Sequence, residues 1–228
     1  MLFVMGSERM RSTFAALFCF ALLTFPAAAV RAQPSGPAED PSARTHDGFY
    51  LRLSLGGGAL RAKFQGGDTA PEAEADGGAA MLDVLLGGTP APGLVVGGGY
   101  QFEMAQDADY ELGTSTGSSG TLARGVIGPF VEWFPDRHGG FSVGLLAGYS
   151  LLQLRTPTIR IFGTEFGGDT RSLGVGGNLW VGYAHWLANQ WSLGLAARAG
   201  LSTTKNTEDS SQGGSVTSWG VLITAVHH

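Results

Sequence analysis

Cysteine is all but absent from this chain. The 228 residues hold one, Cys19, inside an apolar run near the start. One thiol builds no disulfide framework, so covalent staples do not hold the fold. Charge is also scarce: Asp, Glu, Lys and Arg make up 14% of the chain, with a formal net charge of −5. No basic cluster appears, which excludes the electrostatic footprint of a nucleic-acid binder. Histidine is limited to His46, His138, His185, His227 and His228. Hydrolytic sites near neutral pH generally use an imidazole beside an acid or a hydroxyl. These five fall in a linker, a short turn, a strand end or the terminus, away from the long loops, so no enzyme is expected. His138 and His185 share one end and could hold a metal. Solvated turn histidines are the preferred reading, and no metal or cofactor is expected.

Residues 1–32 read as an export signal. Arg9 and Arg11 precede an apolar run from Phe14 to Val30, broken late by Pro26. Val30 and Ala32 fit the small-residue rule for cleavage before Gln33. Phe18 precedes Cys19 where a lipoprotein signal needs a small residue, so lipidation is not expected. Cleavage near Ala32 takes the net charge from −5 to −7 and leaves no cysteine. Residues 33–47 hold three Pro, one Gly and mixed charges without periodicity, and read as a flexible linker. Residues 48–228 form the remaining unit.

Glycine, by contrast, is abundant: 37 residues without a G-X-Y period, set inside alternating runs. That pattern suits strands packed around a narrow interior. From Gly48 onward apolar and polar residues alternate with period 2. Strands are predicted over about 48–59, 79–88, 94–104, 120–134, 141–152, 171–186, 191–203 and 215–226. Connections Thr89–Gly93, Pro135–Gly140 and Leu187–Gln190 are short. Connections Leu60–Gly78, Ala105–Ser119, Gln153–Thr170 and Thr204–Gly214 are long. This alternation predicts an all-β fold: an eight-stranded antiparallel up-and-down transmembrane barrel with short periplasmic turns and long outer loops.

Aromatics support the orientation. Phe49, Tyr50, Trp133, Phe134, Phe141, Tyr183, Trp186 and Trp191 all map to the short-turn end, and read as a periplasmic girdle at the headgroup level. Tyr100, Phe102, Tyr149 and Trp219 suit a thinner outer girdle. With the bulky apolar faces toward lipid, the other faces enclose Arg52, Asp83, Glu103, Arg124, Glu132 and Arg198, with Asn178 and Gln101 as further polar groups. Three positive and three negative side chains in a narrow lumen should pair internally. A closed, salt-bridged lumen is the preferred reading, and a narrow polar path the alternative.

Two other patterns resemble ligand sites. Asp107-x-Asp109-x-Glu111, and Asp68, Glu72, Glu74 and Asp76, place carboxylates in the first two long loops. They lack the rest of a calcium loop and read as solvated acidic loops. Gly97-Gly98-Gly99 and Gly174-x-Gly176-Gly177 are not followed by helices, so they are not phosphate cradles.

The export signal, eight alternating strands, runs such as Gly97-Gly98-Gly99-Tyr100, and the long loops together resemble the small bacterial outer-membrane barrels of the outer membrane protein A transmembrane-domain and outer membrane protein W types. The resemblance covers residues 48–228 and implies a monomeric outer-membrane protein. Its partners would be outer-membrane lipids and the barrel-insertion machinery. Its role would be structural or at the surface, or else that of a narrow channel for small or hydrophobic solutes. Such proteins usually end in an aromatic read by that machinery, whereas this chain ends Thr224-Ala225-Val226-His227-His228. A soluble periplasmic ligand-binding barrel is the remaining alternative; rows such as Leu51, Leu53 and Leu55 would then be core.

Overall fold

Side chains of successive residues in a strand point to opposite faces, and this chain uses that rule throughout. The computed structural model describes residues 46, 48–64, 73–112, 115–161, 164–206 and 213–228. The proposed signal and all of the proposed linker but His46 lie outside them, as do Asp68 and Glu72. Eight strands follow in order: β1 (Phe49–Phe64), β2 (Ala73–Ala91), β3 (Leu94–Leu112), β4 (Ser115–Trp133), β5 (Phe141–Ile161), β6 (Thr164–Trp186), β7 (Trp191–Asn206) and β8 (Gly213–His227). Each pairs antiparallel with its neighbours, and β8 returns to β1, closing the barrel. Closure leaves no unpaired sheet edge.

The strands run further toward the long-loop end than the alternation indicates. β3 continues to Leu112 and β4 begins at Ser115, so most of the expected loop 105–119 is paired strand. Likewise β5 reaches Ile161 and β6 starts at Thr164. Asp107, Asp109 and Glu111 therefore sit on β3 rather than in a loop, beside register shifts between Ala105 and Tyr110. The backbone ladder continues wherever its N–H and C=O groups can pair. Beyond the apolar belt the outward residues turn charged, as Arg61, Lys63 and Asp76 do, while small apolar residues such as Ala62, Ala75 and Ala105 face inward, so the bulky apolar signal fades while the pairing persists.

The opposite end turns tightly. β2 and β3 are joined through Pro92 and Gly93, and Gly93 has φ +72°, a conformation that favours glycine. Phe134 N–H donates to Gly93 C=O at 2.7 Å, tying this turn to the next one.

The outer and inner faces differ completely. Outward-facing Leu55, Ile127, Val175, Leu195 and Ile223 are each more than half exposed. Register sets Leu55 beside Leu82 and Ile223, so the rows merge into a continuous apolar belt around the barrel. On the described strands, outward charges begin above the belt, with Arg61 and Lys63 on β1, Asp76 and Glu74 on β2, Arg155 on β5, Arg171 on β6 and Lys205 on β7. Inside, two apolar clusters form. One, toward the short turns, contains Tyr50, Leu85, Val95, Phe130, Phe134, Leu146 and Trp180. The other, toward the long-loop end, contains Leu60, Ala62, Ala75, Leu122, Leu152 and Val216.

Candidate functional site

Between and within these clusters lies the polar lumen. Arg52, Asp83, Glu103, Arg124, Glu132 and Arg198 all point inward and are at most 3% exposed. The barrel brings all six together, and divides them into two neutral groups.

The larger group is a chain of alternating charge. Arg198 donates from Nη1 to Asp83 Oδ1 and from Nη2 to Glu103 Oε1, the latter at 2.7 Å. Glu103 also accepts from Arg124 Nη1 at 3.1 Å and from Ser218 Oγ at 2.8 Å. Arg124 spends its remaining donors on Ser202 Oγ at 2.8 Å, Asn178 Oδ1 at 3.1 Å and Leu201 C=O at 3.1 Å. Asn178 in turn donates to Gln101 Oε1 at 2.7 Å. A buried ion pair offsets its desolvation only when such extra hydrogen bonds satisfy the rest of each group. Here Arg124 is well served, whereas Arg198 Nε and Gln101 Nε2 have no partner.

The smaller group lies nearer the short turns. Glu132 accepts from Arg52 Nη1 and from Tyr50 Oη, both at 2.5 Å. The Arg52 guanidinium lies 5.3 Å from the Trp180 ring centroid, a cation–π contact in a water-poor setting. Glycine makes the room. A Cβ on Gly144 would fall 2.1 Å from the Trp180 ring, and one on Gly200 would fall 1.9 Å from Asn178 Oδ1.

The expected periplasmic girdle needs correction. Phe49, Trp133, Phe141, Tyr183 and Trp191 face outward and are 42–61% exposed. Tyr50 and Phe134 face inward and are at most 3% exposed. Neighbouring residues in a strand cannot share a face, so of Phe49 and Tyr50, or Trp133 and Phe134, one of each pair turns in. Trp186 turns in as well: it packs on His46 at 5.0 Å and donates from Nε1 to His138 C=O at 3.0 Å. Tyr149 and Trp219, at 77% and 67% exposure, face outward toward the other end.

The inward aromatics belong to a stopper that the sequence did not reveal. His46 stacks on Phe134 at 3.7 Å and meets the His228 ring edge-on at 4.1 Å. Its Nε2 lies 2.7 Å from Gly139 C=O and so carries the proton; Nδ1 then accepts from the His228 ring, whose two nitrogens lie 3.0 and 3.1 Å away. Burial and the neighbouring His46 and His227 push the His228 imidazole down to about 3. His138 instead pairs with Asp136 at 3.9 Å in an exposed turn. Among the described residues no three His, Cys, Asp or Glu gather as a metal site. The odd–even rule applied to His46, before β1, and His228, after β8, offers no signal, because neither lies within a strand.

No protein-family model and no curated protein matches the chain. Solved structures to which the chain is similar include the outer membrane protein OprG of Pseudomonas aeruginosa, at 10% identity and TM-score 0.44, covering 81% of this chain and 97% of that one. The outer membrane protein AlkL, solved in lipid bilayers, is 12% identical with TM-score 0.45, covering 86% and 95%. Neisserial surface protein A is 16% identical with TM-score 0.39, covering 77% and 96%. These likenesses are distant, and the functional reading rests on the barrel's own surfaces.

Proposed function

We propose that this chain is a bacterial outer-membrane barrel protein with a structural or surface-interaction role and a largely closed polar lumen. The apolar belt supports the membrane setting. Soluble monomers rarely expose contiguous apolar patches beyond a few hundred Å², and this belt encircles the molecule. Phe141 and Tyr149 bracket it on β5, eight positions apart. At about 3.4 Å per residue and a tilt of about 40° that span rises roughly 20 Å, close to the apolar band of a membrane barrel. A soluble ligand-binding barrel would place these rows in a core, whereas they are the exposed rows.

The observation that carries the closed-lumen reading is the layered filling of the bore. The His46–His228 stopper, the Tyr50–Glu132–Arg52 group, the Asp83–Arg198–Glu103–Arg124 chain and the Leu60–Leu122 cluster succeed one another. Space left by glycines such as Gly144 and Gly200 is taken by Trp180 and Asn178, which weighs against the channel alternative. The chain should leave membranes only with detergent, and should run on gels as a compact form that slows after boiling. Ready solubility in buffer would contradict the membrane reading.

A further inference from the structure

Two imidazoles, one from before β1 and one from after β8, meet at the short-turn mouth of the barrel. The backbone fixes each of them first. His46 N–H donates to Arg137 C=O at 3.2 Å, and His228 N–H donates to Gln190 C=O at 3.0 Å. Phe134 and Trp186 then wall the two rings, which are both buried. His46 also interacts further within the chain. The next histidine, His227, turns the other way, with its ring against Phe49 and Trp191.

Tautomer, spacing and donor type all suit this pair to a shared ion. His46 commits its Nε2–H to Gly139 C=O at 2.7 Å, so the Nδ1 lone pair faces His228. A backbone carbonyl on the far ring N–H is a common orienting partner of a metal-bound histidine. His46 Nδ1 lies 3.0 Å from Nδ1 and 3.1 Å from Nε2 of His228. One N–H cannot point along both lines, so this hydrogen bond is loosely aimed. Two nitrogens each about 2.0 Å from one ion stand about 2.8 Å apart when adjacent in a square-planar shell and about 3.3 Å apart in a tetrahedral one. The observed separation falls between the two. Carboxylate is withheld: Glu132, behind Tyr50, is taken by Arg52 and Tyr50. Among the described residues no third His, Cys, Asp or Glu joins the pair. Imidazole without carboxylate favours Cu²⁺, Ni²⁺ and Zn²⁺ over Mg²⁺ and Ca²⁺, which take oxygen ligands.

We propose that His46 and His228 together bind one divalent transition-metal ion, Cu²⁺ most tightly, with water completing its shell. His46 ligates through Nδ1. The His228 ring turns so that its lone-pair nitrogen faces the ion and its N–H faces away, and no proton has to leave either ring. Strands β1 and β8 pair to close the barrel, so the ion clamps the closing seam at its short-turn end.

Equilibrium dialysis of the folded full chain in detergent, carrying no polyhistidine tag, tests it with Cu²⁺, Zn²⁺ and Ca²⁺ salts. One Cu²⁺ should bind per chain, Zn²⁺ should bind less tightly, and Ca²⁺ should not bind. His46→Ala and His228→Phe should each weaken Cu²⁺ binding by more than about tenfold, a loss that changes behind the ligands already cause. His138→Ala combined with His185→Ala, at exposed positions, should leave binding unchanged. Electron paramagnetic resonance of the Cu²⁺ form should show coupling to two imidazole nitrogens. Gel mobility before and after boiling shows that each variant is folded; if a ring variant does not fold, the nitrogen count in the wild type decides. No stoichiometric binding, binding that survives loss of either ring, coupling to fewer than two nitrogens, or binding lost with His138 and His185 overturns the proposal.

Discussion

Two sets of ion pairs sit on the same barrel and differ in nearly everything but chemistry. Inside, Arg198 bonds Asp83 with both side chains at most 4% exposed, and Glu103 bridges on to Arg124. At the rim, Arg61 and Lys63 of β1 meet Glu74 of β2 with the cations more than half exposed. The inner chain has exchanged water for fixed partners, so each member depends on the others. The rim set keeps its water and loses little when a member is removed. The position of a residue along a strand's two-residue period decides which regime its charge enters.

The largest effect should follow from breaking the inner chain at its branch. Glu103→Ala strips an acceptor from both Arg124 and Arg198 and leaves buried charge uncompensated. Unfolding from lipid vesicles in denaturant should show a loss of about 3–5 kcal/mol. Overfilling the lumen comes next. Gly144→Val places a side chain where the Trp180 ring lies, for a cost of about 1–3 kcal/mol by the same measurement.

A titration sharpens the contrast between the buried end and the open rim. The folded His228 imidazole is lowered to about 3, below its ordinary value of 6.5. The unfolded chain therefore takes up this proton first as pH falls. The stabilisation is complete above about 6.5 and is lost progressively toward pH 3. His228→Phe should flatten that part of the stability profile between pH 7 and pH 4; an unchanged profile would remove His228 from the account. Smallest of all, Glu74→Gln at the rim should leave the unfolding midpoint unchanged within error.

Much of the architecture was legible because alternation is a strong signal wherever one face meets an apolar phase. Phe49-Tyr50-Leu51-Arg52-Leu53 states both faces at once, and the tight turns are written in Pro92-Gly93 and Pro135 to Gly140. The six lumen charges could be picked out because no other face would tolerate them. Their partition into two groups could not, since it depends on strand tilt and on which glycines let Trp180 and Asn178 reach across. Clustering of aromatics alone predicts a wider girdle than strand parity allows, as inward-facing Tyr50 and Phe134 show. The extended ends of β3, β4, β5 and β6 are not legible because the sequence over 105–119 and 153–170 has no sustained period-2 alternation. The His46–His228 contact joins residues 182 positions apart and outside any strand, so no local pattern announces it.

Single-channel recording in planar bilayers tests the closed lumen most directly. Purified wild-type protein, inserted and folded, should pass no steady current at moderate voltage. A reproducible single-channel conductance would contradict the account, because ions would then be crossing the layers that Arg198, Glu103 and Arg124 fill.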